Sequence, residues 1–297
     1  MKALETHTRI DLKNVLFLTD FSPAATAALP YATELTKRFG AKLYALHVRP
    51  PVVYPMPEPT NWALIEEAEK AEAETERQDL RKLFSGMQVE ALIEEGDLSS
   101  AIATAVKKNK IDLIVLGTRG RSGVEEFFMG SVAEQIFRQA SCAVLTVGPF
   151  TSGEPPRDGE FTQILYATDF SPESVAAAPY AISLAQEFQA HLTLLHVVGD
   201  SKPGDLVHPT ELVESSTRLL RKLVPPEADL WCEPRFVVER GAAAQKILEA
   251  ARHKEADLII LGVRRPHGVP GAATHLPIAT AHKVVSHAPC PVLTVRG

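Results

Sequence analysis

Two stretches of this chain, far apart in sequence, carry residue types suited to chemistry. The first is Thr19-Asp20-Phe21-Ser22-Pro23, which sets a carboxylate at the end of an apolar run, VLFLT at 15–19. A carboxylate there can accept hydrogen bonds from sugar hydroxyls or stand beside a metal ion bound to phosphates. It equally suits an Asx turn leading into the next element, and the two roles are compatible. The second stretch begins at Gly117 and runs through Arg119, Gly120 and Arg121 to Gly130 and Ser131, where a helix is expected to start. Glycine allows close backbone approach to an anion and φ > 0. The unsatisfied N–H groups of a helix start, near Ser131 and Val132, attract negative charge, by about 0.3–1 kcal/mol for a nearby anion. A flexible surface loop with ordinary caps is the competing reading of the glycines alone. The spacing departs from both the GxxxxGK[ST] phosphate loop and the GxGxxG fingerprint, which disfavours those families.

The elements that must position these residues occur twice. Asn14 to Val48 aligns without gaps to Gln163 to Val197, sharing TDFSP, PYA and LHV. Glu94 to Gly117 matches Glu239 to Gly262, and SCAVLTV matches PCPVLTV. Between the copies lies PFTSGEPPRDGE, Pro149 to Glu160, whose composition suits a surface linker. The expected domains are 1–150 and 160–297.

Each copy reads as alternating strands and helices. In the first, Ser22 and Pro23 supply an N-cap and first helical residue, and Gly40 an αL stop. AKLYALHV at 41–48 is a second strand; Asn61 to Phe84 is a long charged helix with Trp62, Leu64, Ile65, Leu80 and Leu83 as its apolar contacts. VEALIE, a helix from Leu98 to Asn109, DLIVLG, a helix from Ser131 to Ala140, and CAVLTV complete the unit. Alternation of this kind means a parallel sheet covered on both faces, with right-handed crossovers. The expected class is α/β: two tandem five-stranded, doubly wound domains of strand order 3-2-1-4-5. That order puts the switch point, where ligands bind, between the first and fourth strands.

Composition narrows the function classes. The chain has 297 residues, 45% hydrophobic and 23% charged, with 37 acidic against 31 basic residues, a net charge of −6 and a pI near 6.0. No overall basic field draws it to nucleic acid. No run approaches the roughly 18 apolar residues of a membrane span, and Met1 to Ile10 does not read as a secretory signal, so cytoplasmic residence is expected. Cys142, Cys232 and Cys290 fit no disulfide framework or paired-cysteine metal site; Cys142 and Cys290, each opening a strand, read as small buried hydrophobes.

With the strand-end Thr19-Asp20, the LHV ending at Val48, and a G-x2-G-x9-G-[ST] loop realised by Gly117, Gly120, Gly130 and Ser131, the chain resembles the universal stress protein family in tandem form. The resemblance implies an ATP-binding α/β domain, with adenine near Val48, ribose near Asp20 and Gly117, and phosphates along Gly120, Gly130, Ser131 and Val132. Thr19 and Arg119 complete the expected ATP site. The resemblance also implies dimerisation through the last strand, here an intramolecular pseudo-dimer of CAVLTV with CPVLTV, and it leaves room for a homodimer of chains.

The second copy departs from this pattern. Its loop, from Gly262 to Ala279, is three residues longer, with Arg265 in place of Gly120 and Ile278-Ala279 in place of Gly130-Ser131. Pro266, Pro270 and Pro277 remove N–H donors and stiffen it. Thr168 and Asp169 survive, which leaves room for an adenosine-like pocket without the triphosphate cradle; with the glycine-lined approach lost, the second half reads as mainly structural or regulatory. His267, His275, His282 and His287 fit no metal motif and read as loop histidines, and His47 and His196 as structural histidines. No nucleophile-and-base pair is visible, which favours a nucleotide sensor signalling to a regulatory protein partner over an enzyme. The alternative is a slow Mg²⁺-dependent ATP hydrolase using Asp20, with Glu125 and Glu126 as the other nearby carboxylates.

Overall fold

The computed structural model describes residues 9–51, 62–118, 130–151, 160–199, 209–226, 232–264 and 276–297. The first copy runs β1 (Asn14–Leu18), α1 (Pro23–Phe39), β2 (Lys42–Arg49), α2 (Trp62–Leu83), β3 (Val89–Glu95), α3 (Leu98–Asn109), β4 (Leu113–Gly117), α4 (Ser131–Gln139) and β5 (Ala143–Val147). The second runs β6 (Gln163–Ala167), α5 (Pro172–Val175), α6 (Ala178–Phe188), β7 (His191–Val198), α7 (Pro209–Arg221), β8 (Arg235–Arg240), α8 (Ala243–His253), β9 (Leu258–Val263), α9 (Leu276–His287) and β10 (Val292–Arg296).

All ten strands form one sheet, ordered β3-β2-β1-β4-β5-β10-β9-β6-β7-β8. Each half is parallel and keeps the 3-2-1-4-5 order expected from its alternating pattern. The halves meet where β5 and β10 pair antiparallel, Leu145 opposite Leu293. Thr146 and Thr294, both buried, reinforce the seam: Thr146 Oγ1 donates to the Val292 carbonyl at 3.1 Å and Thr294 Oγ1 to the Val144 carbonyl at 3.3 Å.

Because strand side chains alternate between faces, the sheet has two cores. One, centred on Phe17, Tyr31, Phe161 and Tyr166, lies under α1, α2, α6 and α7; the other, centred on Leu16, Ile114, Phe137 and Ile259, lies under α3, α4, α8 and α9. Both run unbroken from one copy into the other. Across the first face, Tyr31 stacks on Phe161 at 6.1 Å, and Arg38 reaches Glu160 at 2.8 Å.

Three local expectations need correction. Trp62 and Leu64 are exposed, at 56% and 66%, so α2 is held through Leu80 and Leu83 nearer its other end. The Pro172 helix is not the uninterrupted counterpart of α1: it breaks after Val175. Tyr166, which replaces Phe17, donates its hydroxyl to the Ser174 carbonyl at 2.6 Å, and the Ala177 N–H turns back to that same carbonyl at 3.1 Å. The acceptor that Ala178 needs for helical continuation is thereby engaged, whereas Pro179 is not the cause, since α1 runs on through its equivalent Pro30. Thirdly, α9 begins at Leu276, so the extra residues of the second loop end as helix rather than loop.

Candidate functional site

The turn after β1 and its equivalent after β6 share one backbone plan. Thr19 is buried; its N–H bonds the Leu46 carbonyl at 3.1 Å and its Oγ1 accepts the Phe21 N–H at 2.9 Å. Asp20 Oδ1 accepts the Ser22 N–H at 3.0 Å, the Asx turn allowed by the sequence, and Ser22 Oγ caps α1 by accepting the Ala25 N–H at 3.2 Å. This geometry turns Phe21 into the left-handed region, φ 60, which costs a bulky L-residue about 1–2 kcal/mol. His47 braces the turn: its Nδ1–H donates to the Thr19 carbonyl at 2.9 Å, and its ring meets Phe21 at 4.8 Å. In the second copy Phe170 has φ 62, His196 Nδ1 lies 2.8 Å from the Thr168 carbonyl, and the rings are 4.4 Å apart. Both histidines are therefore structural.

Asp169 is held by Ser171, from its N–H at 3.0 Å and its Oγ at 2.5 Å. Desolvation is the largest single influence and pushes its pKa up, but hydrogen bonds from Ser171 and Ser174 together outweigh it and leave the carboxyl below the usual range.

The other wall of the crevice comes from β4, which pairs directly with β1, Phe17 opposite Val115. Gly117 ends that strand against the first turn of α1, where a Cβ would stand 2.3 Å from the Ala24 carbonyl oxygen. Gly262 repeats the arrangement at 2.2 Å from the Glu173 carbonyl. Thr118, buried, bonds through its N–H to the Val147 carbonyl at 2.9 Å, and its own carbonyl accepts the Gly130 N–H at 2.7 Å. That last bond ties the two ends of the glycine loop together and delivers the start of α4 to the end of β4. Gly130 is the N-cap and makes no side-chain capping bond; Val132, in the first turn, is 40% exposed. Val48 lies half-buried near the end of β2.

Asp20, Gly117, Gly130 and the backbone start of α4 thus come together at the switch point. Arg119, Gly120, Glu125 and Glu126 lie outside the described residues, as does the side chain of Ser131. The residues that sequence reasoning passed over are Phe21, Ala24 and Thr118. The shared TDFSP was the available signal for the first, since an identical turn in two copies implies an identical backbone.

The second copy's crevice has a different shape. Aligned through the last strand, α9 starts one turn earlier than α4, with 12 residues against 9. The N–H groups of Thr280 and Ala281, equivalents of Val132 and Ala133, therefore fall within the hydrogen-bonded ladder. Glu173 replaces Ala24 and pairs with Arg264 at 3.4 Å, and Arg296 Nη1 donates to the Arg264 carbonyl at 2.7 Å. In the first copy the corresponding space beside Ala24, Thr118 and Gly148 is a cleft of about 450 Å³. His282 meets Phe137 at 6.3 Å, and His287 bonds its own helix at Lys283 and stacks on Phe150; among the described residues no group of His, Cys, Asp and Glu has metal-site geometry. Arg265, Pro266, His267, Pro270 and His275 lie outside the described residues. No helix among those described is long and apolar enough to cross a membrane.

Comparison with known proteins agrees with this architecture. The family model described as "Universal stress protein family" matches twice, at residues 11–148 and 160–296. A universal stress protein of Methanocaldococcus jannaschii is 34% identical over 139 residues, covering 46% of this chain and 81% of the relative. One from Mycobacterium tuberculosis is 25% identical over 259 residues, covering 82% of each. Among solved structures, a universal stress protein from Archaeoglobus fulgidus superposes with a TM-score of 0.68 at 22% identity, covering 97% of this chain and 99% of that one. With two matches that together span both repeated halves, the chain belongs to the universal stress protein family.

Proposed function

We propose that the first copy binds one ATP at the β1–β4 crevice and that the chain is a nucleotide-responsive regulatory protein of the stress response. In this reading adenine lies against Val48, the ribose against Thr19, Asp20 and Gly117, and the phosphates along Arg119, Gly120, Gly130, Ser131 and Val132. The observation that carries it is the difference between the two helix starts. In the first copy, α4 begins at a glycine without a side-chain cap, tied by its N–H to Thr118, so its first-turn N–H groups suit an anion. In the second, α9 continues one turn further and Glu173 adds a carboxylate beside Arg264. An anion is thus favoured at the first crevice and disfavoured at the second.

The test is native mass spectrometry of the whole chain with ATP, counting nucleotides bound. One per chain is the expected result; two per chain, or none at saturating ATP, overturns the reading.

A further inference from the structure

Helices α3 and α4 stand apart over the second core and leave a groove of about 550 Å³. Its apolar lining includes Ile102, Ala103, Val106, Ile111, Ile136 and Cys142, with Ser99, Gln135, Gln139 and Ser141 as uncharged polar neighbours. Lys107 and Lys110 stand at the α3 side, both exposed, and no carboxylate lines the groove among the described residues. Lys110 is the left-handed C-cap of α3, φ 51, so the chain turns there and holds its side chain close to the groove.

The duplicated fold provides an internal comparison. In the second copy the equivalents α8 and α9 pack closely on each other. Leu248 stands where the first copy has Ala103 and is 5% exposed, whereas Ala103 is exposed. Cys290 is buried where Cys142 is only partly so, and Glu255 takes the place of Lys110. The same backbone plan therefore exists in a closed form with Arg252 and Glu255 where the open form has Lys107 and Lys110 at the rim. Without a Leu248 equivalent, Ala103, Val106 and Cys142 keep accessible apolar surface over the buried Ile102 and Ile136, and an apolar chain would remove it from water. The lysines define the head group that fits beside it.

We infer that the α3–α4 groove of the first copy is a binding site for an anionic amphiphile, an acyl chain bearing a carboxylate, with the chain along Ala103, Val106 and Cys142 and the carboxylate at Lys107 and Lys110. This site is separate from the β1–β4 crevice and does not depend on ATP being the nucleotide bound there. Most of the affinity comes from the apolar wall, because the lysines are exposed and their attraction is screened by salt.

The experiment is isothermal titration of the full chain with sodium dodecanoate below its micellar concentration, at low salt, with dodecanol and dodecyltrimethylammonium as comparison ligands. Dodecanoate is expected to bind once per chain and more tightly than either. Ala103→Leu, which installs the residue the second copy carries, removes binding while circular dichroism and the melting temperature stay close to those of the parent. Lys107→Gln with Lys110→Gln weakens dodecanoate by about three- to tenfold, as expected for exposed charges, and leaves dodecanol unchanged. Unaltered dodecanoate binding in Ala103→Leu would move the site elsewhere and overturn the inference. Equal affinity for dodecanol and dodecanoate, or equal losses for both in the lysine variant, refutes the anionic class. If Ala103→Leu does not fold, Ala103→Glu, which sets a charge at the same exposed position, supplies the same reading.

Discussion

Gly117 and Ala24 approach so closely that a Cβ on the glycine would stand 2.3 Å from the Ala24 carbonyl oxygen, and Gly262 stands in the same relation to Glu173 at 2.2 Å. The shared strand-end glycine therefore has a packing reason that operates with or without a ligand. Gly117→Ala and Gly262→Ala are each expected to destabilise the protein by about 1–3 kcal/mol, the usual range for overpacking against backbone. Urea denaturation measures both. A destabilised Gly117→Ala beside an unaffected Gly262→Ala would mean that the contact with helix backbone is not what fixes glycine there.

His47 is the brace of the β1 turn, and its Nδ1–H is the donor that the buried Thr19 carbonyl uses. His47→Phe keeps a ring beside Phe21 and deletes the donor, so the expected loss is about 1–3 kcal/mol, the penalty for an unsatisfied buried acceptor. Since the same turn positions Asp20, nucleotide affinity should fall with it. Parent-like stability together with parent-like affinity argues against the bracing role.

The break between α5 and α6 centres on the Ser174 carbonyl, which accepts from both the Tyr166 hydroxyl and the Ala177 N–H. Tyr166→Phe releases the Ser174 carbonyl, which then becomes the acceptor for the Ala178 N–H. Slower hydrogen exchange at Ala178 is expected, at a net cost of about 0.5–1.5 kcal/mol for the lost hydrogen bond. Unchanged exchange would instead assign the break to the Ala177 N–H, which bonds the same carbonyl at 3.1 Å.

Asp169 links stability to acid pH. Its folded pKa lies below the unfolded value of about 3.9, so its contribution is fully present above that value and is lost as pH falls through the folded pKa. Asp169→Asn should therefore flatten the acid end of the stability profile and leave differences above pH 5 independent of pH. The side chain is exposed, so added salt reduces the effect. A mutant whose deficit grows toward higher pH would contradict the sign.

The proposed division between the copies predicts that Gly130→Val takes ATP binding below detection, by placing a branched side chain at the α4 N-cap, whereas Ile278→Gly leaves stoichiometry and affinity as they were. Calorimetry reads both. A phosphate-release assay separates binding from hydrolysis: release above the buffer rate that needs added Mg²⁺ and is abolished by Asp20→Ala with binding retained would make the chain a Mg²⁺-dependent hydrolase.

Much of the architecture was legible in the sequence. Apolar runs such as VLFLT and LIVLG are long enough only for buried strands, and repetition fixed the alternation twice over. Asp20 and the Gly130-Ser131 helix start were readable because strand ends and caps use few residue types. What escaped were matters of exclusion and competition. No rule of spacing reveals that Gly117 faces an α1 carbonyl, that Phe21 is forced to positive φ by its neighbours' hydrogen bonds, or that the Tyr166 hydroxyl and the Ala177 N–H share the carbonyl where a helix breaks. Trp62 and Leu64 misled because helical periodicity marks a face without saying what covers it.

The β5–β10 ladder has one more consequence. Because both strands belong to the same polypeptide, their meeting is a first-order event, and dilution cannot part them as it parts two subunits. At any cellular abundance the fifth strand of each copy keeps a neighbour, so neither offers a raw sheet edge for unintended pairing. The halves also point their strand ends in opposite directions, which sends the two crevices to opposite rims of the sheet. Access from solvent to the first crevice is therefore from a rim where the second is out of reach.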